Sequence, residues 1–587
     1  MVTMIQTATL QWQQIDGIDI PVSTQFGDVY FSKDNGLLET RHVFLNGNDL
    51  TERLSKLDDY DYFCVGETGF GTGLNILALW QLWQQVRPNN HSHLHAISVE
   101  KFPLTRADLI RALSVWTELK PLADQIIEQY PSPIAGCHRL NFPKERFSLD
   151  LWLGDAHDVF PVIPKTFNVN AWFLDGFAPS CNPELWEENV LNHIVRLSAP
   201  STTFASFSVA GVLKRGLKAH GIHITRPRGF GHKREMLKAI WQTENTYQPT
   251  SQKHIAVIGA GIAGLNIAWA FAQRGHRVSI FEKDQPLAGG SGNPLALLNP
   301  KLCPIEQAPE HLMTLSWQYA LNHYTQFKAF RAIQVEQIGE LQQLIADYPQ
   351  LEQVTTSALE THHPRAQLKH AGAISPHQLK DEILEHPLIE LYQQNINDLS
   401  ELDHFDHIIV CTALANPTLI DDHPTLKPIR GQVSWCASKL LPLNQAFSYG
   451  GYCMQLDDEQ LILGASFHPN RTDTDVTVED HEHNLALLEK IYLNYQLPSI
   501  NTWYGRASIR AQSLDYFPTV GKISDKVYSF AGLGSKGFLF APLCSEILVA
   551  DILKQACPAP QKLIEKLSPL RFKKKIKPKK PYYKKAP

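Results

Sequence analysis

The sequence IAVIGAGIAGLNIAWAFAQRGHRVSIFE, residues 255–282, decides the fold of the second half of this chain. An apolar run leads into three glycines, Gly259, Gly261 and Gly264, which are followed by a helical pattern, a second apolar run and Glu282. In this order the elements form the dinucleotide-binding fingerprint, where the helix N-terminus faces a pyrophosphate and the acid bonds a ribose. The acid suits FAD and NAD equally, so the stretch predicts a Rossmann-type dinucleotide site without choosing between them.

Two further glycine turns favour FAD. GGSGN at 289–293 follows shortly after the acid, and AGLGSKGF at 531–538 follows a late apolar run and precedes a helix expected from about Pro542. A returning C-terminal glycine turn against the same cofactor resembles the D-amino-acid oxidase group of flavoproteins, although an ordinary helix cap is the alternative for that turn. Beyond the fingerprint, the predicted FAD contacts are Lys283, Gly290, Ser291, Asn293, Gly534, Ser535 and Gly537.

The same resemblance predicts a cationic substrate site. Flavoproteins of this group oxidise C–N bonds, and a substrate carboxylate is held best by the planar fork of an Arg. Arg510 lies where the group's substrate-binding Arg is expected, and Arg506 competes for the role; either could instead form a structural ion pair. Lys536, in the late glycine turn, is a second candidate cation.

The first half of the chain is patterned as an α/β sheet. Five apolar runs predict buried parallel strands: DYFCVGE, LHAISVE, LDLWLGD, VNAWFLDG and TTFASFS. A glycine loop, CVGETGFGTGLN at 64–75, leads from the first strand into a helix, and no Lys-Ser/Thr pair follows it, which argues against a Walker-type phosphate loop. Because ligands of open α/β sheets bind beyond the carboxyl ends of the strands, glycines and acids at these ends predict one site.

This combination looks like an S-adenosylmethionine methyltransferase of the Rossmann-like type. The predicted cofactor contacts are Glu67, Gly69, Gly71, Gly73, Asn75, Glu100 and Asp155. Asp175 is the predicted catalytic carboxylate, because amine methylation needs a group that orients the amine and accepts its proton. Phe177 is predicted to stack on a base, with core packing as the alternative, and residues 179–186 are predicted to cap the site.

Basic residues concentrate between positions 214 and 238, with a single acid among them. A solvated face is one interpretation, and a surface that contacts phosphates beside the methyl-transfer site is the other. The predicted RNA contacts are Arg226, Arg228, Lys233 and Arg234.

The composition of the chain indicates its fold class, its domain boundaries and its cellular compartment. A chain of 587 residues with 43% hydrophobic residues can bury large cores, so global disorder is excluded. The polar segment at 242–253 predicts a boundary between domains at about 1–245 and 253–570. Nine scattered cysteines without a CxxC pair fit reduced thiols and no zinc site. With no signal peptide or membrane span expected, we predict a cytoplasmic, metal-free monomer.

The formal net charge of −5 hides an uneven distribution. Residues 571–587 hold nine Lys/Arg and no acid, which leaves 45 basic against 59 acidic residues, a net charge of −14, for residues 1–570. This basic tail is predicted to be either a disordered extension or an electrostatic tether to RNA.

Together the two halves resemble one family, the bifunctional enzymes that complete 5-methylaminomethyl-2-thiouridine at the tRNA wobble position. The basic tail is not part of that resemblance. The match is carried by GDVYFS (27–32), ETRHVFLNGN (39–48), GETGFGTGLN (66–75), LDGFAPSCNPELW (174–186), GFGHKREML (229–237), VIGAGIAG (257–264), GGSGNPLALLNPK (289–301), IRGQ (429–432) and GLGSKGF (532–538).

The resemblance implies a fold and two successive reactions. The fold is an N-terminal Rossmann-like methyltransferase sheet followed by an FAD-binding Rossmann domain with an interleaved α+β substrate subdomain. The flavin domain oxidises the carboxymethylaminomethyl group of the wobble uridine, and the imine hydrolyses to glyoxylate and aminomethyluridine. The N-terminal domain then methylates that amine with S-adenosylmethionine.

Two other functions fit parts of the pattern. A fused amine oxidase and N-methyltransferase could act on free small amino acids, which the flavin domain alone does not exclude. A non-enzymatic RNA-binding protein with vestigial folds would not need intact strand-end acids or a complete dinucleotide fingerprint. The basic stretch and the basic tail favour RNA over free amines.

Overall fold

The architecture described below is that of a computed structural model. It describes residues 5–15, 18–32, 35–242, 250–300, 302, 312–339, 344, 348, 351–353, 358–421 and 423–572. Most of the predicted domain boundary and nearly all of the basic tail lie outside the described residues, so both remain predictions.

The N-terminal half is built on one eight-stranded sheet. A hairpin of β1 (Leu10–Ile15) and β2 (Ile18–Ser23) precedes it. The strands of the sheet are β3 (Tyr62–Glu67), β4 (His93–Glu100), β5 (Gly136–Phe142), β6 (Phe147–Leu153), β7 (Val169–Phe173), β8 (Ser198–Ser206), β9 (His223–Thr225) and β10 (Leu237–Ile240). Their order is β5-β6-β4-β3-β7-β8-β10-β9, and the five predicted strands, β6, β4, β3, β7 and β8, are confirmed as mutually parallel.

Helices cover both faces of this sheet because successive residues of a buried strand point to opposite sides. Phe63 and Val65 pack with the helices that begin at Leu74, Arg106 and Lys120, whereas Cys64 packs with the helices that begin at Ala156, Glu188 and Gly211. The strand order changes direction at β3, so its carboxyl end is the switch point where a ligand site is expected. The helices are α1 (Gly36–Thr40), α2 (Leu50–Ser55), α3 (Leu74–Val86), α4 (Arg106–Leu113), α5 (Lys120–Gln129), α6 (Ala156–Val162), α7 (Glu188–Arg196) and α8 (Gly211–Ala219), with a π-helical segment at Arg41–Asn46.

The second half begins with a parallel sheet formed from dispersed segments. The fingerprint folds as predicted, with a strand, a tight turn and the buried helix α9 (Ile262–Ala272). The strands are β11 (His254–Ile258), β12 (Arg277–Glu282), β17 (Ile389–Gln393), β18 (His407–Val410), β25 (Thr519–Lys522) and β26 (Val527–Ala531), in the order β17-β12-β11-β18-β26-β25. Only the edge strand β25 is antiparallel to its neighbour.

A mixed sheet of ten strands is interleaved with this Rossmann sheet, which confirms the predicted substrate subdomain. Its strands are β13 (Ala296–Leu298), β14 (Phe330–Ile338), β15 (Leu351–Gln353), β16 (Arg365–Ile374), β19 (Lys427–Ala437), β20 (Gln445–Ser448), β21 (Tyr452–Gln455), β22 (Gln460–Gly464), β23 (His468–Pro469) and β24 (Tyr504–Gln512). The remaining helices are α10 (Leu312–Tyr324), α11 (Pro376–Leu384), α12 (Asn416–Leu419), α13 (Val478–Glu489), α14 (Gly537–Leu553) and α15 (Gln561–Leu567). No helix among the described residues is long and apolar enough to cross a membrane.

The start of α14 differs from the prediction. The helix begins at Gly537 rather than near Pro542, which lies inside it. A proline there has no N–H to bond the carbonyl of Phe538 one turn earlier. The hydroxyl of Tyr324 in α10 donates to that carbonyl at 2.9 Å, so the helix continues through the proline.

A buried ion network joins the two halves. Arg139 and Asp150 are cross-strand neighbours on β5 and β6, and the guanidinium donates two 2.7 Å hydrogen bonds to the carboxylate. Across the interface, Arg139 also pairs with Glu546 of α14 at 2.9 Å, and Glu546 pairs with Arg274 at 2.7 Å. Burial alone would raise the pKa of Glu546, but the two guanidinium groups outweigh it and hold this pKa at about 2.

Candidate active sites

A cavity of about 480 Å³ lies at the switch point of the N-terminal sheet. Its wall includes the glycine loop after β3 and the acids that end β4 and β7, so the structure brings most of the predicted residues together. The predicted residues that line it are Gly69, Gly71, Asn75, Glu100, Asp155, Asp175 and Phe177, whereas Glu67 and Gly73 do not.

Asp175 is fixed in the cavity wall by two hydrogen bonds. Its Oδ1 accepts from the backbone N–H of Gly176 at 2.9 Å, and its Oδ2 accepts from the side-chain amide of Asn75 at 2.6 Å. Burial raises its pKa to about 6, although both hydrogen bonds favour the charged form. A carboxylate with a pKa near neutrality can accept a proton and release it again in the physiological range.

Asn75 connects Asp175 to the buried carboxyl of Glu67. The amide nitrogen also donates to Glu67 at 2.9 Å, and its oxygen accepts from the hydroxyl of Thr40 at 2.7 Å. Ser98 donates to the other oxygen of Glu67 at 2.6 Å. Glu67 is fully buried, and burial raises its pKa. Its hydrogen bond to Asn75 therefore holds that amide from the protein interior, behind the cavity wall.

Glu100 and Asp155 lie where a nucleoside would be recognised. Both oxygens of Glu100 accept backbone N–H bonds, from Gly71 at 2.7 Å and from Phe102 at 2.8 Å, which ties the glycine loop to the end of β4. Asp155 caps α6 through the N–H of His157 at 2.9 Å and pairs with Lys101 at 2.7 Å.

Three aromatic rings form one wall of the cavity. The ring of Phe177 lies 4.8 Å from that of Phe26 and 5.1 Å from that of Tyr30. Phe177 therefore both packs against aromatic neighbours and faces the cavity. Sequence reasoning assigned no role to Phe26 or Tyr30, although Tyr30 lies within the quoted motif GDVYFS. Of the predicted capping segment, Asn182, Glu184 and Leu185 line the cavity.

The basic stretch is only partly free to meet a ligand. Arg226 pairs with Glu235 at 3.3 Å, whereas Arg228 and Arg234 are exposed and pair with no acid in the described part of the chain. Lys233 instead lines the cavity and pairs with Glu39 at 2.7 Å.

A second cavity, of about 1140 Å³, lies between the Rossmann sheet and the mixed sheet. Gly259 turns the backbone at a φ of 104°, and a Cβ there would lie 2.8 Å from the carbonyl oxygen of Cys411. The predicted residues that line the cavity are Gly259, Gly261, Glu282, Lys283, Gly290, Ser291, Asn293, Arg510, Gly534, Ser535, Lys536 and Gly537, whereas Gly264 does not.

Polar groups at the fingerprint are arranged as a dinucleotide needs. One oxygen of Glu282 accepts the N–H of Ala260 at 2.8 Å, and the carboxylate also lines the cavity. The hydroxyl of Ser291 accepts the N–H of Ile262 at 3.1 Å, at the start of α9. A helix N-terminus beside a glycine turn, with an acid at the next strand end, fits the pyrophosphate and ribose of FAD.

The two candidate arginines, Arg506 and Arg510, have different contacts in the structure. Arg506 donates to the carbonyls of Leu287, Ala288 and Gly289 and to Asn293 Oδ1, so it holds the 287–293 loop. Arg510 lines the cavity and donates a hydrogen bond to the hydroxyl of Ser535 at 3.3 Å; it pairs with no acid among the described residues. Burial lowers its pKa.

Arg510 lies directly over Gly431 of the quoted IRGQ motif. A Cβ at Gly431 would stand 2.3 Å from Arg510 Nη2, so only glycine leaves room for the guanidinium. Tyr452 and Phe467 also line this cavity, and Phe467 is 50% exposed. Sequence reasoning missed both, because no motif signals an isolated aromatic residue.

Lys536 lies in the same cavity. Its Nζ donates to the backbone carbonyl of Asn299 at 2.8 Å, and burial lowers its pKa to about 8. No group of three or more metal-ligating side chains occurs among the described residues.

Comparison with known proteins assigns each half. The family model described as "S-adenosyl-L-methionine-dependent methyltransferase" matches residues 117–242. The model described as "FAD dependent oxidoreductase" matches residues 254–386 and 378–551. The chain thus combines a methyltransferase domain with an FAD-dependent oxidoreductase domain, which confirms both predicted cofactors.

Full-length relatives have the same arrangement. The "tRNA 5-methylaminomethyl-2-thiouridine biosynthesis bifunctional protein MnmC" of Acinetobacter baylyi is 63% identical, with 99% of both chains covered. The protein of the same name from Psychrobacter cryohalolentis is 37% identical over 97% of this chain and 95% of its own. Glycine oxidase from Geobacillus kaustophilus is 18% identical, with a TM-score of 0.43, over 52% of this chain and 95% of its own. The two bifunctional relatives show that the chain belongs to the family of bifunctional proteins of tRNA 5-methylaminomethyl-2-thiouridine biosynthesis.

Proposed function

We propose that the chain first removes the carboxymethyl group from 5-carboxymethylaminomethyl-(2-thio)uridine at the wobble position of tRNA. It then methylates the resulting 5-aminomethyl-(2-thio)uridine to 5-methylaminomethyl-(2-thio)uridine. One observation carries this proposal. A single chain holds one cavity whose Arg510 pairs with no acid among the described residues, suited to an amine that bears a carboxylate, and another with a carboxylate suited to the amine that remains.

In the second cavity, Arg510 holds the substrate carboxylate through a bidentate contact, because its guanidinium faces the cavity and has no acidic partner among the described residues. Lys536, with a pKa of about 8, is partly neutral near that pH and can accept the proton that the substrate amine must lose. FAD, when bound, would supply the oxidant that takes a hydride from the carbon next to the nitrogen, and the C–N single bond would become an imine. Hydrolysis of the imine then releases glyoxylate and leaves the aminomethyl group.

In the first cavity, Asp175 accepts a proton from the aminomethyl ammonium and points the nitrogen lone pair at the methyl donor. Asn75 fixes the orientation of the carboxylate. S-adenosylmethionine, when bound, supplies the methyl group. We assign its ribose to Glu100 and its adenine amino group to Asp155, while Phe177 stacks on a base within the aromatic wall.

The tRNA contacts are proposed at the exposed part of the basic stretch. Arg228 and Arg234 have no acidic partner among the described residues and can meet phosphates. Arg226 can join them by exchanging its exposed ion pair with Glu235, since such pairs contribute little to stability.

Nucleoside analysis of tRNA tests the whole sequence of reactions. tRNA carrying the carboxymethylaminomethyl group should yield aminomethyluridine without S-adenosylmethionine and methylaminomethyluridine with it. Free glycine and sarcosine serve as comparison substrates. Turnover of these small amines together with unchanged tRNA would overturn the proposal and favour the fused oxidase acting on free amino acids.

A further inference from the structure

The ion pair between Glu39 and Lys233 is the feature of the first cavity that the two reactions do not explain. Both side chains line the cavity, and the carboxylate and ammonium groups lie 2.7 Å apart. The Glu39 side chain is only 13% exposed, whereas that of Lys233 is 46% exposed and lies 4.3 Å from the ring of Phe207. One member therefore faces the reaction site and the other can also reach a ligand outside.

Both charges act on the catalytic carboxylate. Glu39 raises the pKa of Asp175 and Lys233 lowers it, so the pair is close enough to influence proton transfer. The other lysine of the cavity, Lys101, already pairs with Asp155 at 2.7 Å. While the pair is closed, Lys233 neutralises Glu39, so of these two acids only Asp175 is available to an incoming cation.

The methyl acceptor brings a positive charge into this cavity. A primary alkyl amine is mostly protonated at neutral pH, and the methyl donor carries a sulfonium charge as well. Carboxylates close to the reacting nitrogen favour the binding of two cations in a partly buried site. Asp28, Glu100 and Glu184 also line the cavity, but Glu39 is an acid whose charge acts on Asp175, so a freed Glu39 can share the ammonium with Asp175.

We propose that Lys233 is an RNA-operated latch: an RNA phosphate draws Lys233 away from Glu39, and the freed carboxylate then holds the substrate ammonium beside Asp175. This inference rests on the proposed function, since it assigns the latch to the methylation step. It makes methyl transfer depend on RNA contact rather than on the amine alone. Free small amines meet a closed pair and are poor substrates.

The chemistry balances without another reactant. The ammonium gives one proton to Asp175, and the nitrogen lone pair forms the new N–C bond. The C–S bond breaks with its electron pair staying on sulfur, which becomes neutral. The secondary ammonium product carries the charge that left the sulfonium, and Asp175 returns its proton to solvent. Glu39 stays ionised throughout and acts as a binding group.

The test compares a free nucleoside with tRNA. The full-length Lys233→Met enzyme should methylate the nucleoside 5-aminomethyluridine with a kcat/KM about tenfold higher than wild type, because Glu39 is permanently free. Its kcat/KM for aminomethyl-tRNA should fall, with a salt slope shallower by about one charge. Adding Glu39→Gln to Lys233→Met should abolish the gain on the nucleoside.

The chain offers a matched control. Lys238 belongs to the same stretch and pairs with Asp49 at 2.7 Å, but neither residue lines the cavity. Lys238→Met should leave nucleoside methylation unchanged. Calorimetric binding of S-adenosylmethionine reports whether each variant retains its folded cavity.

Different results would overturn the Lys233 latch and the proposed tRNA modification. Nucleoside methylation by Lys233→Met that is unchanged, reduced or undetectable would overturn the latch and leave the pair as a structural contact. Failure of wild-type enzyme to methylate aminomethyl-tRNA would instead overturn the proposed function. A gain that survives Glu39→Gln would also contradict the role of the freed carboxylate.

Discussion

At the scale of single residues, the proposed methyl-transfer site depends on one carboxylate, Asp175, whose pKa burial raises to about 6. Because the proton acceptor is the ionised form, kcat/KM for methylation of aminomethyl-tRNA should rise with pH up to about 6 and lose this dependence above it. Asp175→Asn should lower methylation by about 10²–10⁴-fold while flavin reduction stays normal. Mass spectrometry of nucleosides from pH 5 to 8 measures both effects. Normal methylation by the variant would remove Asp175 from the catalytic role.

The two arginines of β24 lead to opposite expectations. Arg510→Gln should raise the KM for oxidation about 100-fold or more through loss of the charged contact, and it should retain FAD and methyl transfer. Arg506→Gln should release the 287–293 loop and lower FAD retention. Flavin absorbance per protein and the rate of anaerobic flavin reduction distinguish the two. If both variants bind FAD and oxidise tRNA normally, neither assignment holds.

Sequence reasoning could name these arginines but not choose between them. They are four residues apart on one strand, so both side chains lie on the same face and alternation gives no distinction. The contacts of each guanidinium distinguish the two arginines. Arg506 donates to three loop carbonyls, whereas Arg510 lies over Gly431 and faces the open cavity. Glu39 opens the motif ETRHVFLNGN but received no role from the sequence, because its partner Lys233 lies 194 residues away.

At the scale of elements, the turn between β11 and α9 has no room for a side chain. Gly259→Val would force an unfavourable positive φ and bring a Cβ within 2.8 Å of the Cys411 carbonyl. The variant should purify without flavin absorbance yet still methylate aminomethyl-tRNA made in advance. Loss of both activities would mean that the N-terminal sheet depends on the flavin domain for its own folding.

Elements were predictable where buried strands and glycine turns follow each other closely. All five parallel strands of the first sheet and the fingerprint helix were identified because each is a continuous apolar run with a sharp end. The beginning of α14 was not, because a proline normally marks a helix start. Its missing hydrogen bond is replaced by Tyr324, which is distant in sequence and leaves no local signal.

At the scale of the whole molecule, Glu546 forms a buried ion pair that links the two halves. Glu546→Gln should lower the free energy of unfolding by about 3–5 kcal/mol, as for other broken buried pairs. The folded-state pKa of about 2 is depressed, so the stabilisation is present above the ordinary value of 4.5 and is lost as pH falls towards 2. The difference between wild type and variant in urea unfolding should therefore shrink on acidification. A pH-independent difference would contradict this ionic explanation.

The ion network has a further consequence, for the separability of the halves. Arg139 is neutralised by Asp150 within the N-terminal sheet, and Arg274 is neutralised by Glu546 within the flavin domain. Separating the halves would break the ion pair between Arg139 and Glu546 and the hydrogen bond from Arg139 to the carbonyl of Ala556. Each of the four charged groups would still keep an oppositely charged partner in its own half, so we expect that ion pairing does not prevent the two halves from folding as separate chains.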